Sequence, residues 1–200
     1  MLKKRFYILL FFCLLLGGNV NSSTVDKGDN NAPFENKRTE TDYLPIADPF
    51  VMLYNNKYYA YGTGGTVNEG FACFSSDDLK NWKRERQALS ADDSYGKWGF
   101  WAPEVYYIQS KKKFYMFYSV EEHICVATSD SPVGPFRQES KQPIWEEKSI
   151  DTSLFIDDDG TPYLYFVRFT DGNVIWVAQM TDDLMKIKKE TLSEFIKAEE

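Results

Sequence analysis

The sequence is poor in the side chains that bind transition metals. It contains one histidine, His123, and three cysteines, and no two cysteines form a Cys-x-x-Cys pair. A structural zinc site needs four such ligands, usually in two closely spaced pairs. The sequence therefore predicts no metal site built from these residues and no required cofactor.

Two of the three cysteines, Cys73 and Cys125, lie in short apolar runs that are typical of buried strands. An exported protein can join such residues in a disulfide. Two buried, unpaired thiols are the favoured prediction, because free cysteine is among the most buried residue types.

Positive charge is also scarce. Lys and Arg number 23 against 30 Asp and Glu, which gives a net charge of -7. Nucleic-acid binding depends on Lys and Arg that neutralise phosphates, so a nucleic-acid partner is excluded. A neutral poly- or oligosaccharide is compatible with this charge, and an aromatic content of 16% supplies rings on which sugars can lie.

The apolar run near the N terminus, residues 6–16, has 11 residues and is too short to span a bilayer. It follows three basic residues and precedes small ones, the pattern of a secretory signal peptide over residues 1–22. Residues 23–42 are polar and turn-rich, which predicts a flexible leader. The mature protein is therefore predicted to be secreted or periplasmic, in a bacterium, without membrane attachment, with its folded domain at 43–200.

From Tyr43 onward the sequence repeats itself three times. Each unit has a strand-like run, a hairpin turn, an aromatic second strand and a third strand that ends at an Asp-containing corner. Alignment of the units places Asp48, Ala102 and Asp151 at one position, with steps of 54 and 49 residues. Short strands repeated at this spacing predict an all-β fold made of propeller blades.

A short fourth strand is predicted in each unit, at residues 82–84, at 136–138 and within 185–200. Propeller rings close with about four to eight blades, so three units cannot close a ring. The chain is therefore expected to be the N-terminal part of a longer protein, and its oligomeric state is left open.

Two carboxylates occupy the repeated position. The first strands of all blades begin around one central channel, so Asp48 and Asp151 are expected to converge there although they are far apart in sequence. Two converging carboxylates are what glycoside hydrolysis requires. The alternative for each is a structural role at a turn or strand entry, as the dipeptide Asp48-Pro49 often has.

The chain resembles glycoside hydrolase family 43 from about Tyr43 to its end. The matching motifs in the three units are Ile46-Ala47-Asp48-Pro49-Phe50-Val51, Phe100-Trp101-Ala102-Pro103-Glu104-Val105 and Ser149-Ile150-Asp151-Thr152-Ser153-Leu154-Phe155. The resemblance implies a five-bladed β-propeller and hydrolysis with inversion, in which Asp48 is the general base and Asp151 tunes the pKa of the acid. It places the acid, a Glu, at the start of a fourth blade beyond residue 200, so the 200 residues alone are expected to be inactive.

Substrate and further ligands follow from the same resemblance. Xylose- or arabinose-containing plant polysaccharide is the expected substrate, and a structural calcium ion in the channel of the full-length protein is compatible with the family. Phe100, Trp101 and Glu104 are candidate substrate contacts, with packing between blades as the alternative for the two rings. The alternatives for function are a glycan-binding propeller or inactive remnant, and a propeller glycosidase that acts on galactan or fructan.

Overall fold

The computed structural model describes residues 44–64 and 69–197. The predicted signal peptide and leader lie outside the described residues, and both stay predictions. In the described part of the chain, no helix is long and apolar enough to cross a membrane.

Among the described residues, eleven strands form three antiparallel sheets, and each sheet has its first strand at one edge. We call these sheets the first, second and third blade. The first blade contains β1 (Ala47–Tyr54), β2 (Lys57–Thr63), β3 (Gly70–Ser76) and β4 (Lys83–Ser90). The second contains β5 (Trp101–Ile108), β6 (Lys113–Val120) and β7 (His123–Ser129), and the third contains β8 (Ser149–Ile156), β9 (Pro162–Arg168), β10 (Val174–Gln179) and β11 (Ser193–Lys197).

This arrangement confirms the all-β prediction and the threefold repeat.

The tight turn between β1 and β2 shows how local sequence sets the hairpins. Asn55 and Asn56 both have positive φ, 48° and 59°, the conformation that a two-residue hairpin turn requires. Asparagine tolerates this backbone region better than most residues, so the dipeptide fixes the register of β1 against β2.

The fourth strand predicted for the second unit is reduced to a single antiparallel bridge, between Arg137 and Thr128 of β7. Phe136 and Arg137 form only isolated bridges, the first of them parallel to Leu89 of the first blade. The Phe136 amide donates to the Ala88 carbonyl at 2.7 Å. Gly134, at φ 82°, makes this approach to the first blade feasible, because a Cβ there would lie 2.4 Å from the same carbonyl oxygen. The segment therefore contacts both blades. Phe136 bonds to the first blade, whereas Arg137 and Thr128 of β7 exchange two backbone hydrogen bonds at 3.0 Å and add one antiparallel bridge to the second.

The hydrophobic core lies between neighbouring blades, with β6 in the middle. Met116 and Tyr118 pack into the cluster between the first and second blades, whereas Tyr115 and Phe117 pack into the cluster between the second and third. Successive side chains of a strand point to opposite faces, so a central blade buries both faces of its strands. This is why β6 reads as a nearly continuous aromatic and apolar run rather than an alternating one.

Both cysteines within the described residues are buried and unpaired, as predicted. Burial raises the pKa of each thiol, Cys73 and Cys125, to about 12. Neither thiol is therefore a reactive nucleophile near neutral pH.

Candidate active site

Each blade has a bulge near the start of its first strand, and the three bulges coincide with the repeated position. Across each bulge the first strand advances by three residues while its partner advances by two. The residues at the bulges have positive φ and are Asp48 (46°), Ala102 (45°) and Asp151 (54°). The structure thus confirms the alignment of these three positions. A bulge re-aims a side chain away from the ordinary strand alternation, which is common beside active sites.

Asp48 stands at the bulge of the first blade with its side chain exposed. The Thr63 hydroxyl, at the end of β2, donates to Asp48 Oδ2 at 2.8 Å. The same hydroxyl accepts a hydrogen bond from the backbone amide of Ala102 at 2.8 Å. One side chain therefore links the Asp48 carboxylate to the bulge of the second blade.

Asp151 stands at the bulge of the third blade. Its backbone amide donates to the Ser119 hydroxyl at 3.0 Å, and Ser119 is fully buried. The Asp151 side chain is open to solvent, but the surrounding protein displaces enough water to raise its pKa, and the negative charge of Asp48 raises it further. Asp48 and Asp151 therefore interact electrostatically although 103 residues separate them (151 − 48).

Glu104 adds a third carboxyl group next to Asp151. Burial and the charge of Asp151 raise the pKa of Glu104, while hydrogen bonds from Tyr106 and Ser153 oppose that rise. The Tyr106 hydroxyl donates to Glu104 Oε2 and accepts from the Leu154 amide at 3.2 Å. Glu104 thus belongs to a network that joins the second and third blades, and its contact with substrate stays a prediction.

The two aromatic candidates have different environments. Phe100 is fully buried, stacks on Tyr118 at a centroid distance of 6.3 Å and meets Phe71 edge-on at 5.7 Å. The prediction that Phe100 contacts substrate is therefore wrong, because the ring belongs to the core. Trp101 is only partly buried and packs edge-on against Trp98 at 6.5 Å.

Trp98 is an exposed aromatic residue that the sequence analysis did not single out. Its side chain is 53% exposed, although it lies three residues before the bulge-bearing strand β5. With Trp101 it offers an aromatic surface on the same connection that leads into the second blade. Isolated exposed rings are common on proteins, so the pairing of the two indoles is the informative feature.

An apolar cavity of about 500 Å³ lies between the first strands of the three blades. Its lining is contributed by β1, β5 and β8 beyond their bulges and includes Phe50, Tyr106 and Leu154. Asp48, Glu104 and Asp151 do not line it. The carboxylates therefore mark the end of the channel where the first strands begin, and the cavity lies further along those strands.

No cluster of three or more potential metal-binding side chains occurs within residues 44–64 and 69–197. The calcium ion expected in the channel of the full-length protein stays a prediction.

Antiparallel blades repeated in this order, with their first strands around a common cavity, define a protein of the β-propeller class. Within that class, the chain belongs to the glycosyl hydrolases family 43, whose family model matches residues 44–200.

Similar proteins come from bacteria and fungi. A solved structure of an endo-1,4-beta-xylanase from Bacteroides thetaiotaomicron VPI-5482 is 86% identical, with a TM-score of 0.78, over 80% of this chain and 55% of that one. An arabinoxylan arabinofuranohydrolase from Bacillus subtilis is 30% identical over 60% of this chain and 30% of its own. A probable arabinan endo-1,5-alpha-L-arabinosidase B from Aspergillus fumigatus is 27% identical over 78% of this chain and 46% of its own. The chain thus spans about half or less of the length of these proteins.

Proposed function

We propose that the whole protein is an inverting glycoside hydrolase with a five-bladed propeller, in which Asp48 is the general base and Asp151 tunes the acid. The observation that carries this proposal is the pair of carboxylates on equivalent bulges, close enough for the charge of Asp48 to raise the pKa of Asp151. Family membership supports the reaction class.

In this mechanism Asp48 removes a proton from a water molecule that attacks the anomeric carbon. A protonated Glu on the opposite side gives its proton to the leaving glycosidic oxygen, so one bond to oxygen forms as the other breaks. The base and acid stand roughly 6.5–9.5 Å apart to leave room for the water. The resemblance assigns the acid to the start of a fourth blade, outside the described residues.

Asp151 acts on that acid through its charge. An acid that must be protonated near neutral pH needs a raised pKa, and a neighbouring carboxylate disfavours its ionisation. Asp151 has the position for this role because it shares the end of the channel with Asp48 but lies two blades away from it.

The proposed substrate is a xylose- or arabinose-containing polysaccharide outside the cell. By their names, the three similar proteins act on xylan, arabinoxylan and arabinan, and the one that is 86% identical is an endo-1,4-beta-xylanase. The paired indoles of Trp98 and Trp101 support sugar binding at the same end of the channel. Secretion or a periplasmic location is proposed with this substrate, since polymers of this kind do not enter cells.

The test is product release by the whole protein from xylan, arabinoxylan, arabinan, galactan and fructan, with nitrophenyl xyloside and arabinofuranoside as small substrates. We expect release of xylose- or arabinose-containing products and none from galactan or fructan. Binding of these glycans without release of any sugar would instead support a non-catalytic binding propeller. Release from galactan or fructan alone would contradict the proposed substrate class.

A further inference from the structure

The hydroxyl of Thr63 has two partners in two different blades. It donates to the carboxylate of Asp48 in its own blade and accepts from the amide of Ala102 in the next, both at 2.8 Å. A hydroxyl has one hydrogen to donate, so accepting from Ala102 leaves that hydrogen for Asp48. The two contacts are therefore mutually consistent, and each favours the hydroxyl orientation that the other needs.

The second blade has an equivalent hydroxyl. Thr63 pairs with Ala47, the residue before Asp48, and Ser119 pairs with Trp101, the residue before Ala102. The Ser119 hydroxyl accepts from the Asp151 amide at 3.0 Å, just as Thr63 accepts from the Ala102 amide. In the third blade this position is Val167, opposite Ile150, and it carries no hydroxyl.

The two hydroxyls differ in what they do for a side chain. Position 102 in the second blade is alanine, so Ser119 has no carboxylate at the position equivalent to Asp48. Ser119 holds a backbone amide, whereas Thr63 holds both a backbone amide and the carboxylate of Asp48. The hydrogen bond from Thr63 to the Asp48 carboxylate is therefore additional to the backbone contact that both hydroxyls make.

We propose that Thr63 is a positioning residue for Asp48, whose hydroxyl fixes the orientation of the carboxylate and ties it to the bulge of the second blade. The inference rests on the proposed function of Asp48 as general base. An exposed aspartate at a bulge can otherwise rotate about its side-chain bonds. A base must keep its water hydrogen-bonded to itself and aimed at the reacting carbon. Misplacement by about 1 Å can cost 10²-fold in rate.

The experiment compares Thr63→Val with Thr63→Ser in the whole protein. Valine has nearly the shape of threonine but no hydroxyl, and serine keeps the hydroxyl but loses the methyl group. We expect Thr63→Val to lower kcat by roughly 10- to 100-fold with KM changed less than about threefold. Thr63→Ser should retain kcat within about threefold of the original protein.

Three kinetic outcomes would overturn the inference: unchanged kcat in Thr63→Val, a raised KM with unchanged kcat, or equal losses in the Val and Ser variants. The last outcome would assign the effect to the methyl group and to packing. Thr63→Ala provides a second hydroxyl-free variant should the valine protein fail to fold, and the same expectations apply to it.

A readout that does not depend on activity is the hydrogen exchange of the Ala102 amide. We expect it to exchange at least about tenfold faster in Thr63→Val than in Thr63→Ser, because only the valine variant removes its acceptor. Ser119→Ala is the matched control: it should speed exchange at Asp151 and leave Ala102 unchanged. Unchanged exchange at Ala102 in Thr63→Val would overturn the inference. Undiminished turnover in an Asp48→Ala variant would instead show that the proposed function of Asp48 is wrong.

Discussion

Replacement of Asp48 by alanine in the whole protein is expected to lower kcat by roughly 10²- to 10⁴-fold, the usual contribution of a general base. The attacking water then has no group to take its proton, while binding of the sugar away from the reacting centre persists. Thermal unfolding should change little, because the Asp48 side chain is exposed and its partner Thr63 keeps its bond to Ala102. Turnover on the preferred substrate and the unfolding temperature are the two measurements.

Asp130→Ala serves as the control for this variant. Asp130 is also an exposed aspartate, but it lies after the third strand of the second blade and pairs with Lys113 at 3.0 Å. Surface ion pairs of this kind contribute little, so its loss should leave both kcat and stability near their original values. Equal turnover in the Asp48 and Asp130 variants would rule out a catalytic role for Asp48.

Asp151→Asn is expected to lower kcat/KM by roughly 10²-fold at neutral pH, because less of the catalytic acid is then protonated. Removal of a negative charge beside the acid makes the acid easier to ionise, so its protonated form is lost at lower pH. The alkaline limb of the pH profile of kcat/KM should therefore move to lower pH. A fall in kcat/KM at every pH, with the acidic and alkaline limbs at unchanged pH, would contradict the tuning role.

The same substitution should stabilise the protein near neutral pH. The folded state raises the pKa of Asp151 above the unfolded value, so between these two values the folded state binds more protons. The free energy of unfolding therefore falls as the pH rises from the unfolded to the folded pKa, and this destabilisation persists at higher pH. The asparagine side chain carries no such charge, so the variant should unfold at a higher temperature near neutral pH, and this difference should shrink as the pH falls below the unfolded pKa of aspartate, about 3.9. The gain is modest, since the Asp151 side chain is partly open to solvent.

The positions of Asp48 and Asp151 could be predicted because they depend on the repeat. Equivalent residues of successive blades occupy equivalent places, so alignment of three units is enough to bring the two carboxylates to one end of the channel. The same reasoning predicted that β11 follows in the third unit. The repeat within these three units does not determine how many blades the whole protein has.

The hydroxyls of Thr63 and Ser119 escaped prediction because the hairpins differ in length. Thr63 follows Asp48 by 15 residues, whereas Ser119 follows Ala102 by 17, so simple alignment from the first strands does not superpose them. Only strand pairing shows that both stand opposite the residue before a bulge. Thr63 and Ser119 each follow the first residue of their strand, Lys57 and Lys113, by six positions (63 − 57 and 119 − 113), so alignment from the hairpin turns would have found them.

Phe100 and the segment after Pro135 show a second limit of prediction from local sequence. Phe100 and Trp101 are adjacent aromatic residues at the entry of a bulged strand, where the alternation that separates buried from exposed side chains is broken. The fourth strand of the second blade is limited to one bridge, and the segment before it approaches the first blade where Gly134 meets Ala88, 46 residues earlier (134 − 88). Contacts between distant segments of this kind are absent from local sequence patterns.

We propose that Asp48 activates a water for direct displacement at the anomeric carbon and that Asp151 supports the acid. The most direct test follows the first product released by the whole protein from a xylo- or arabino-oligosaccharide by ¹H NMR, before the sugar equilibrates in water. Single displacement predicts that the first-formed anomer has the configuration opposite to that of the bond cleaved. First appearance of the retained anomer would contradict the account, because retention requires a covalent intermediate on a carboxylate.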